Sequence, residues 1–159
     1  MSEMQVATAS ELEQARYIVY SVGTERFVSS LLSIKEIVDP LPYCRVPNDH
    51  AYFLGLANLR GQIIGVIDLG LRLGLGSSAS THEGVLLILE EDGIFLGALV
   101  SRVESAITVD VTDIREESSV FSHGPQEAYP GVVRYDESIL PIISLARLFQ
   151  ESDEENRAA

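Results

Sequence analysis

The feature that most constrains this chain is that it repeats itself. Residues 131–149, GVVRYDESILPIISLARLF, carry the pattern of residues 55–73 at an offset of 76. Gly55 falls on Gly131, Leu56 on Val132, Ile63-Ile64 on Ile139-Leu140, Val66-Ile67 on Ile142-Ile143 and Leu69 on Leu145. A second echo lies upstream, where residues 27–37 (FVSSLLSIKEI) resemble residues 96–106 (LGALVSRVESA) at an offset of 69, with Ile34 on Val103. Self-similarity of this kind marks two copies of one structural unit. The order is A-B-A′-B′, with the polar stretch after Gly74 as the seam, near residues 76–84.

The repeated stretch is β-forming. In residues 56–73, LANLRGQIIGVIDLGLRL, two β-branched alternating arms flank Asn58-Leu59-Arg60-Gly61, the composition of a hairpin turn in which Gly61 takes a positive φ. Leu69, Leu71 and Leu73 then form either one more strand or a single helical turn, ended by Gly74 and Gly76. Upstream, residues 17–22 and 26–29 read as strands about a turn at Gly23-Thr24-Glu25, and residues 30–38 as a short helix passing into a strand. Pro40, Pro42 and Pro47 enforce an extended excursion carrying Cys44 and Arg45. Downstream come a loop at 77–83, a hairpin of 85–89 and 94–100 across residues 90–93, and a strand at 106–111 with Ile107 and Val109 on one face. An irregular surface loop over 113–130, strands at 132–135 and 139–144, and a short helix at 145–150 complete the pattern. Residues 1–15 read as a flexible arm and residues 151–159, ESDEENRAA, as an acidic disordered tail.

About ten short strands in two similar sets, with connections too short for crossover helices, predict a single all-β domain over 16–150 built from two small closed barrels that are intertwined. Closure removes the edges a small sheet exposes, and the seam between the barrels is the natural groove. At 46% hydrophobic residues the chain can bury a core, and with aromatics at 7% and no Trp that core is Val, Ile and Leu. A formal charge of −13 opposes binding to nucleic acid or an anionic membrane and favours a basic protein patch. Cys44 is alone, which fits a reducing compartment. Neither a signal-peptide pattern nor an apolar run approaching about 18 residues is present, so the expectation is a cytoplasmic protein without direct membrane insertion.

Catalytic and metal patterns fail one by one. Gly70, Gly74 and Gly76 do not sit between a strand and a long helix, as a phosphate loop requires. His50, His82 and His123 lack metal-ligand spacing, and Ser77, Ser78, Ser80, Ser118, Ser119 and Ser122 lie outside any nucleophile-elbow context. Asp110, Asp113, Glu116 and Glu117 form a charge run at a strand exit, which is ordinarily solvated. The reading is a non-enzyme without cofactor or metal. Asp68, the one carboxylate in an apolar stretch, is read as capping the following turn in preference to touching a partner. Arg60, at the hairpin tip, is a surface turn residue, a residue paired with an acidic neighbour, or an anchor for a carboxylate on another protein.

Residues 17–27 (YIVYSVGTERF), 34–37 (IKEI), 45–47 (RVP), 55–68 (GLANLRGQIIGVID), 73–75 (LGL), 96–103 (LGALVSRV) and 129–149 together resemble the CheW-like family of bacterial chemotaxis coupling proteins. The specific part is N-L-R-G-x-x-x-x-V-I-D-L. The resemblance implies two five-stranded SH3-like β-barrels and a non-enzymatic adaptor that links methyl-accepting chemoreceptors to a CheA-type histidine kinase. It implies as partners the kinase's regulatory domain, paired barrel to barrel, and the receptor's cytoplasmic helical tip, docked between the barrels and recruiting the protein to membrane-associated arrays. By motif it places Ile34, Glu36, Asn58 and Arg60, with Val103 in the second unit, at partner-facing positions. The sequence departs from the family pattern at Gly65 and His50, where Pro is usual, and at Ser101 and Ser144, where Asp is usual. Those departures keep open a divergent module that recognises another helix or peptide, or service in an accessory chemosensory or pilus-motility system.

Overall fold

The computed structural model describes residues 14–78, 83–116 and 128–148. The expected arm up to residue 13, the acidic tail, the end of the last helix, His82, His123, Glu117 and Ser80, Ser118, Ser119 and Ser122 lie outside the described residues.

Alternating apolar residues and two-residue turns yield strands β1 (Gln14–Val22), β2 (Glu25–Ser30), β3 (Glu36–Val38), β4 (Tyr43–Cys44), β5 (Phe53–Leu59) and β6 (Gln62–Asp68). A single helical turn, α1 (Leu69–Arg72), follows. Then come β7 (Val85–Glu91), β8 (Ile94–Val100), β9 (Arg102–Asp110), β10 (Ile114–Arg115), β11 (Gly131–Tyr135) and β12 (Ser138–Ile142). Residues 145–148 are again helical. Residues 30–38 resolve into a 3-10 turn, Leu31–Ser33, passing into β3.

The strands form two six-stranded sheets in place of the five-stranded ones expected, ordered β10-β11-β12-β2-β1-β9 and β4-β5-β6-β8-β7-β3. The two lists correspond strand for strand, five of the six pairs under the offsets of 69 and 76 read from the sequence and β4 with β10 at an offset of 71. Even the one parallel pairing in each sheet matches: Val66 faces Gly97 between β6 and β8, and Ile142 faces Val28 between β12 and β2. Each sheet therefore combines strands from both sequence copies. The seam near 76–84 does not separate the sheets, because β6 and β7 on either side of it belong to the same one. The chain passes between sheets at residues 31–35 and at Ser101.

Interleaving gives strands two buried faces, and the described residues form three apolar clusters. Val19, Val28, Val133 and Leu140 fill the first sheet's own core, and Ile64, Val66, Leu86 and Ile88 fill the second's. Between them lies a shared cluster, to which the first sheet gives Ile18, Tyr20 and Phe27 and the second gives Ile67, Leu87 and Val100. Fully burying one such side chain contributes roughly 2 kcal/mol, so the shared cluster binds the halves into one folding problem.

Three sequence expectations need correction. β1 starts at Gln14, taking in the last two residues assigned to the arm, because it pairs along its length with β9, which itself begins at Arg102 and not at Ala106. Asp92-Gly93 alone is the turn between β7 and β8, both residues having positive φ. The loop expected at the surface over 113–130 contributes strand β10, and its end, Ala128-Tyr129, is buried in the shared cluster.

Gly55 and Gly131 show how far the two copies agree. A Cβ on either would stand 2.2 Å from a carbonyl oxygen, that of Cys44 or of Arg115. Only glycine lets β5 and β11 lie so close to the short edge strands β4 and β10.

Candidate partner-binding site

The β5–β6 tip is a two-residue turn closed by Leu59 opposite Gln62. Both turn residues are left-handed, Arg60 at φ 51° and Gly61 at φ 85°, the geometry that matches the twist of a hairpin. The Asn58 side-chain oxygen accepts a hydrogen bond from the Gly61 amide at 2.7 Å, which holds the turn. A non-glycine residue in this conformation costs about 1–2 kcal/mol, so Arg60 occupies a position where turn chemistry alone would favour Asn or Gly.

From that tip the Arg60 guanidinium donates to both carboxylate oxygens of Glu36, with Nη1 to Oε2 at 3.0 Å and Nη2 to Oε1 as the second bond. Glu36 is on β3, at the sheet edge, and β7 and β8 lie between β3 and β6 in the hydrogen-bonded order. The pair therefore spans a sheet that has curled until its hairpin tip meets its edge. Of the alternatives open for Arg60, pairing with an acidic neighbour is the one observed. Its side chain is 70% exposed and that of Glu36 30%, so water screens the pair. A pair of this kind contributes at most about 1 kcal/mol. A carboxylate from another protein can thus take over the guanidinium at little cost.

Ile34 lies in the first crossing between sheets and Val103 just past the second, in β9, both half-buried against the shared cluster. Each has a charged neighbour with a fixed contact. Lys35 lies with Nζ 4.7 Å from the Phe95 ring centroid and pairs with Glu90, while Glu104 receives Arg26 at 2.8 Å and Arg102 at 3.6 Å. The structure thus brings Glu36, Asn58 and Arg60 together, with Ile34 two residues before Glu36, and places Val103 just past the other crossing. Sequence reading missed Leu32, which is 98% exposed at the 3-10 turn beside Ile34. The signal was the Leu31-Leu32 doublet, of which a single turn can direct only one toward the core.

Asp68 is structural. It is 1% exposed, and its carboxylate accepts from the Leu71 amide at 3.2 Å, the Ser77 hydroxyl at 3.0 Å, and the Ser78 amide and hydroxyl at 2.9 and 2.7 Å. It caps α1 as expected and also ties down the following loop. Ser101 stitches the second crossing by accepting from the Gly23 amide at 2.8 Å and donating to the Ser78 carbonyl. Ser144 stands as Asp68 does, with its hydroxyl accepting from the Arg147 amide at 3.4 Å. Gly65 leaves room for Leu96 and Phe53, whose side chains would lie 3.0 and 3.3 Å from a Cβ. Among the described residues no cluster of His, Cys, Asp and Glu has the arrangement of a metal site, and no helix is long and apolar enough to cross a membrane.

Comparison with known proteins places this architecture. Residues 16–157 match the model of the family described as "CheW-like domain". The probable chemotaxis protein CheW of Rhizobium etli is 29% identical over 138 residues, covering 87% of this chain and 89% of that protein. The chemotaxis protein CheW of Treponema pallidum is 28% identical over 153 residues, covering 94% and 90%. Protein PilI of Pseudomonas aeruginosa is 27% identical over 86 residues, covering 54% and 48%. Among solved structures, the scaffolding protein TtCheW from Thermoanaerobacter tengcongensis superposes with a TM-score of 0.76 at 27% identity, covering 85% of this chain and 87% of that one.

Proposed function

The chain belongs to the CheW-like domain family of chemotaxis scaffold proteins, and on that premise we propose that it couples methyl-accepting chemoreceptors to a CheA-type histidine kinase through two separate faces. One face is the β5–β6 tip with Asn58, Arg60 and the neighbouring Glu36, offered to the regulatory domain of the kinase. The other is the pair of crossings marked by Ile34 and Val103, offered to the cytoplasmic helical tip of a receptor. Held by both, the protein is recruited to receptor arrays at the membrane from the cytoplasm and acts as an adaptor that changes no bond.

The observation that carries this reading is the Arg60–Glu36 pair. A guanidinium kept in an energetically unfavourable turn conformation, mostly exposed and held within its own chain by a water-screened pair, is suited to exchanging partners. Relatives named as chemotaxis proteins cover 87% and 94% of the chain, against 54% for protein PilI, which favours the chemotaxis system.

A pull-down of the purified protein with the kinase regulatory domain, run beside Arg60→Glu, tests it. Loss of capture with the variant still folded is expected. Undiminished capture by the variant would remove Arg60 from the interface, and no capture of any such kinase by the wild-type protein would shift the assignment to a module for another helix or peptide.

A further inference from the structure

A cavity of about 350 Å³ opens into the mouth of the second barrel, on residues that the adaptor reading does not use. Its walls are Leu41, Leu54, Val66, Leu71, Leu86 and Leu99. We propose that this cavity is a binding site for a small carboxylate with a short aliphatic body, taken up body first with its charge left at the Arg45 rim.

The volume is that of a small-molecule cleft and far exceeds an ordinary packing defect. Its outer wall is the excursion 40–47, which Pro40, Pro42 and Pro47 hold extended and which is fastened to the barrel by the β4–β5 pairing. The pseudo-equivalent positions in the other barrel are more bulky or polar, with Tyr17 in place of Leu86 and Arg147 in place of Leu71. At these two positions the cavity wall is aliphatic, with Tyr43 and Arg45 elsewhere in the lining.

Two charges in the lining set the orientation of the ligand. Asp68 is buried and its oxygens are already occupied by the Leu71, Ser77 and Ser78 donors, so it needs no cation and repels an anion from the inner end. Arg45 is exposed at the rim, and among the described residues no ion pair engages it. Its guanidinium is therefore available to bond a carboxylate. An apolar body is drawn inward by burial, and a carboxylate stays out with Arg45.

The test is a titration of the full chain with octanoate, with octan-1-ol as the uncharged counterpart, followed by methyl NMR. Saturable shifts of the Val66, Leu71 and Leu86 methyls are expected, with a Kd of about 1 mM or tighter. Arg45→Glu should weaken octanoate about fivefold and leave octan-1-ol unchanged, as befits one exposed ion pair. Leu71→Trp, at a half-buried wall position, should abolish the shifts with an unchanged far-UV spectrum. Absence of saturable shifts, equal affinity for both probes, or shifts that survive Leu71→Trp would overturn the proposal. So would shifts at these methyls on adding the kinase regulatory domain but not octanoate, which would make the cavity a pocket for a partner's side chain. None of these outcomes depends on whether Arg60 binds a kinase.

Discussion

The β5–β6 and β11–β12 hairpins share one frame and end in opposite charges. Within that frame Ile64 and Leu140 are buried, Ile63 and Ile139 are exposed, and Asp68 and Ser144 cap the helical turns that follow. At the tips, Arg60-Gly61 faces Asp136-Glu137, and where Arg60 meets Glu36 the other half has Asp136 and Ser105. The crossings diverge in the same sense: Lys35 over Phe95 corresponds to Glu104 bonded to Arg26. In the shared core, Tyr20 hydrogen-bonded to Ser29 at 2.8 Å corresponds to Leu89 and Ala98. Packing keeps interior positions such as Ile64 and Leu140 apolar in both hairpins, although the shared core differs at Tyr20 and Leu89. Surface charge is free to change, and here it has made one fold into two dissimilar faces, which is what an adaptor between unlike partners needs.

If the interiors are equivalent, equal insults should have equal effects. Ile64→Asp and Leu140→Asp each bury a charge among aliphatic side chains and should each destabilise by at least about 4 kcal/mol, abolishing the folded state in far-UV circular dichroism. A folded, cooperative variant at either position would show that its strand register is wrong. Gly55→Ala and Gly131→Ala drive a methyl onto a carbonyl oxygen 2.2 Å away. Each should cost about 2–3 kcal/mol by urea denaturation, since backbone on both sides must move. A neutral result at one glycine alone would break the equivalence of β4 with β10.

Alkaline pH should divide the halves. Burial raises the Tyr20 phenol above its ordinary value of 10.0, despite its bond to Ser29, and pushes Tyr129 up to about 12. Both belong to the shared cluster, and Leu89 occupies the position corresponding to Tyr20. Below pH 10 the phenols are neutral whether the chain is folded or not. From pH 10 to about 12 the unfolded chain releases protons that the folded one retains, so stability falls as pH rises. Urea midpoints measured across that interval should decline, and Tyr20→Phe should make the decline shallower. An unchanged decline would place the titration elsewhere.

How much of this was legible from the residues follows from what each feature depends on. The repeat, its offsets and the hairpins were legible because inward-facing side chains impose a period that surface drift does not erase. That the barrels are intertwined was read, but not the assignment of each strand, because a hairpin pattern states which strands are neighbours in sequence and is silent on which sheet receives them. The strand Ile114–Arg115 is too short for any period, and Ala128-Tyr129 ends a polar stretch, so its burial had no local sign. Arg60 was visible through turn chemistry, and the family resemblance pointed to Glu36. Their ion pair was hidden, since 24 residues separate them and only the curl of the sheet closes the gap.

The smallest predicted effect tests the tips themselves. Position 61 is glycine, while its counterpart 137 is glutamate at φ 62°, following Asp136 at φ 48°. Two consecutive side-chain-bearing residues in the left-handed region store strain that the first tip avoids at its second position. Glu137→Gly should therefore stabilise the protein by about 1 kcal/mol, less the extra entropy glycine gives the unfolded chain, seen as a higher urea midpoint at constant slope. Gly61→Glu should destabilise by a similar amount, and it also sets a second acidic side chain next to the Arg60–Glu36 pair. If Glu137→Gly is neutral or harmful, the glutamate makes a contact that outweighs its strain, and the acidic tip then becomes a candidate partner surface in its own right, the counterpart of Arg60.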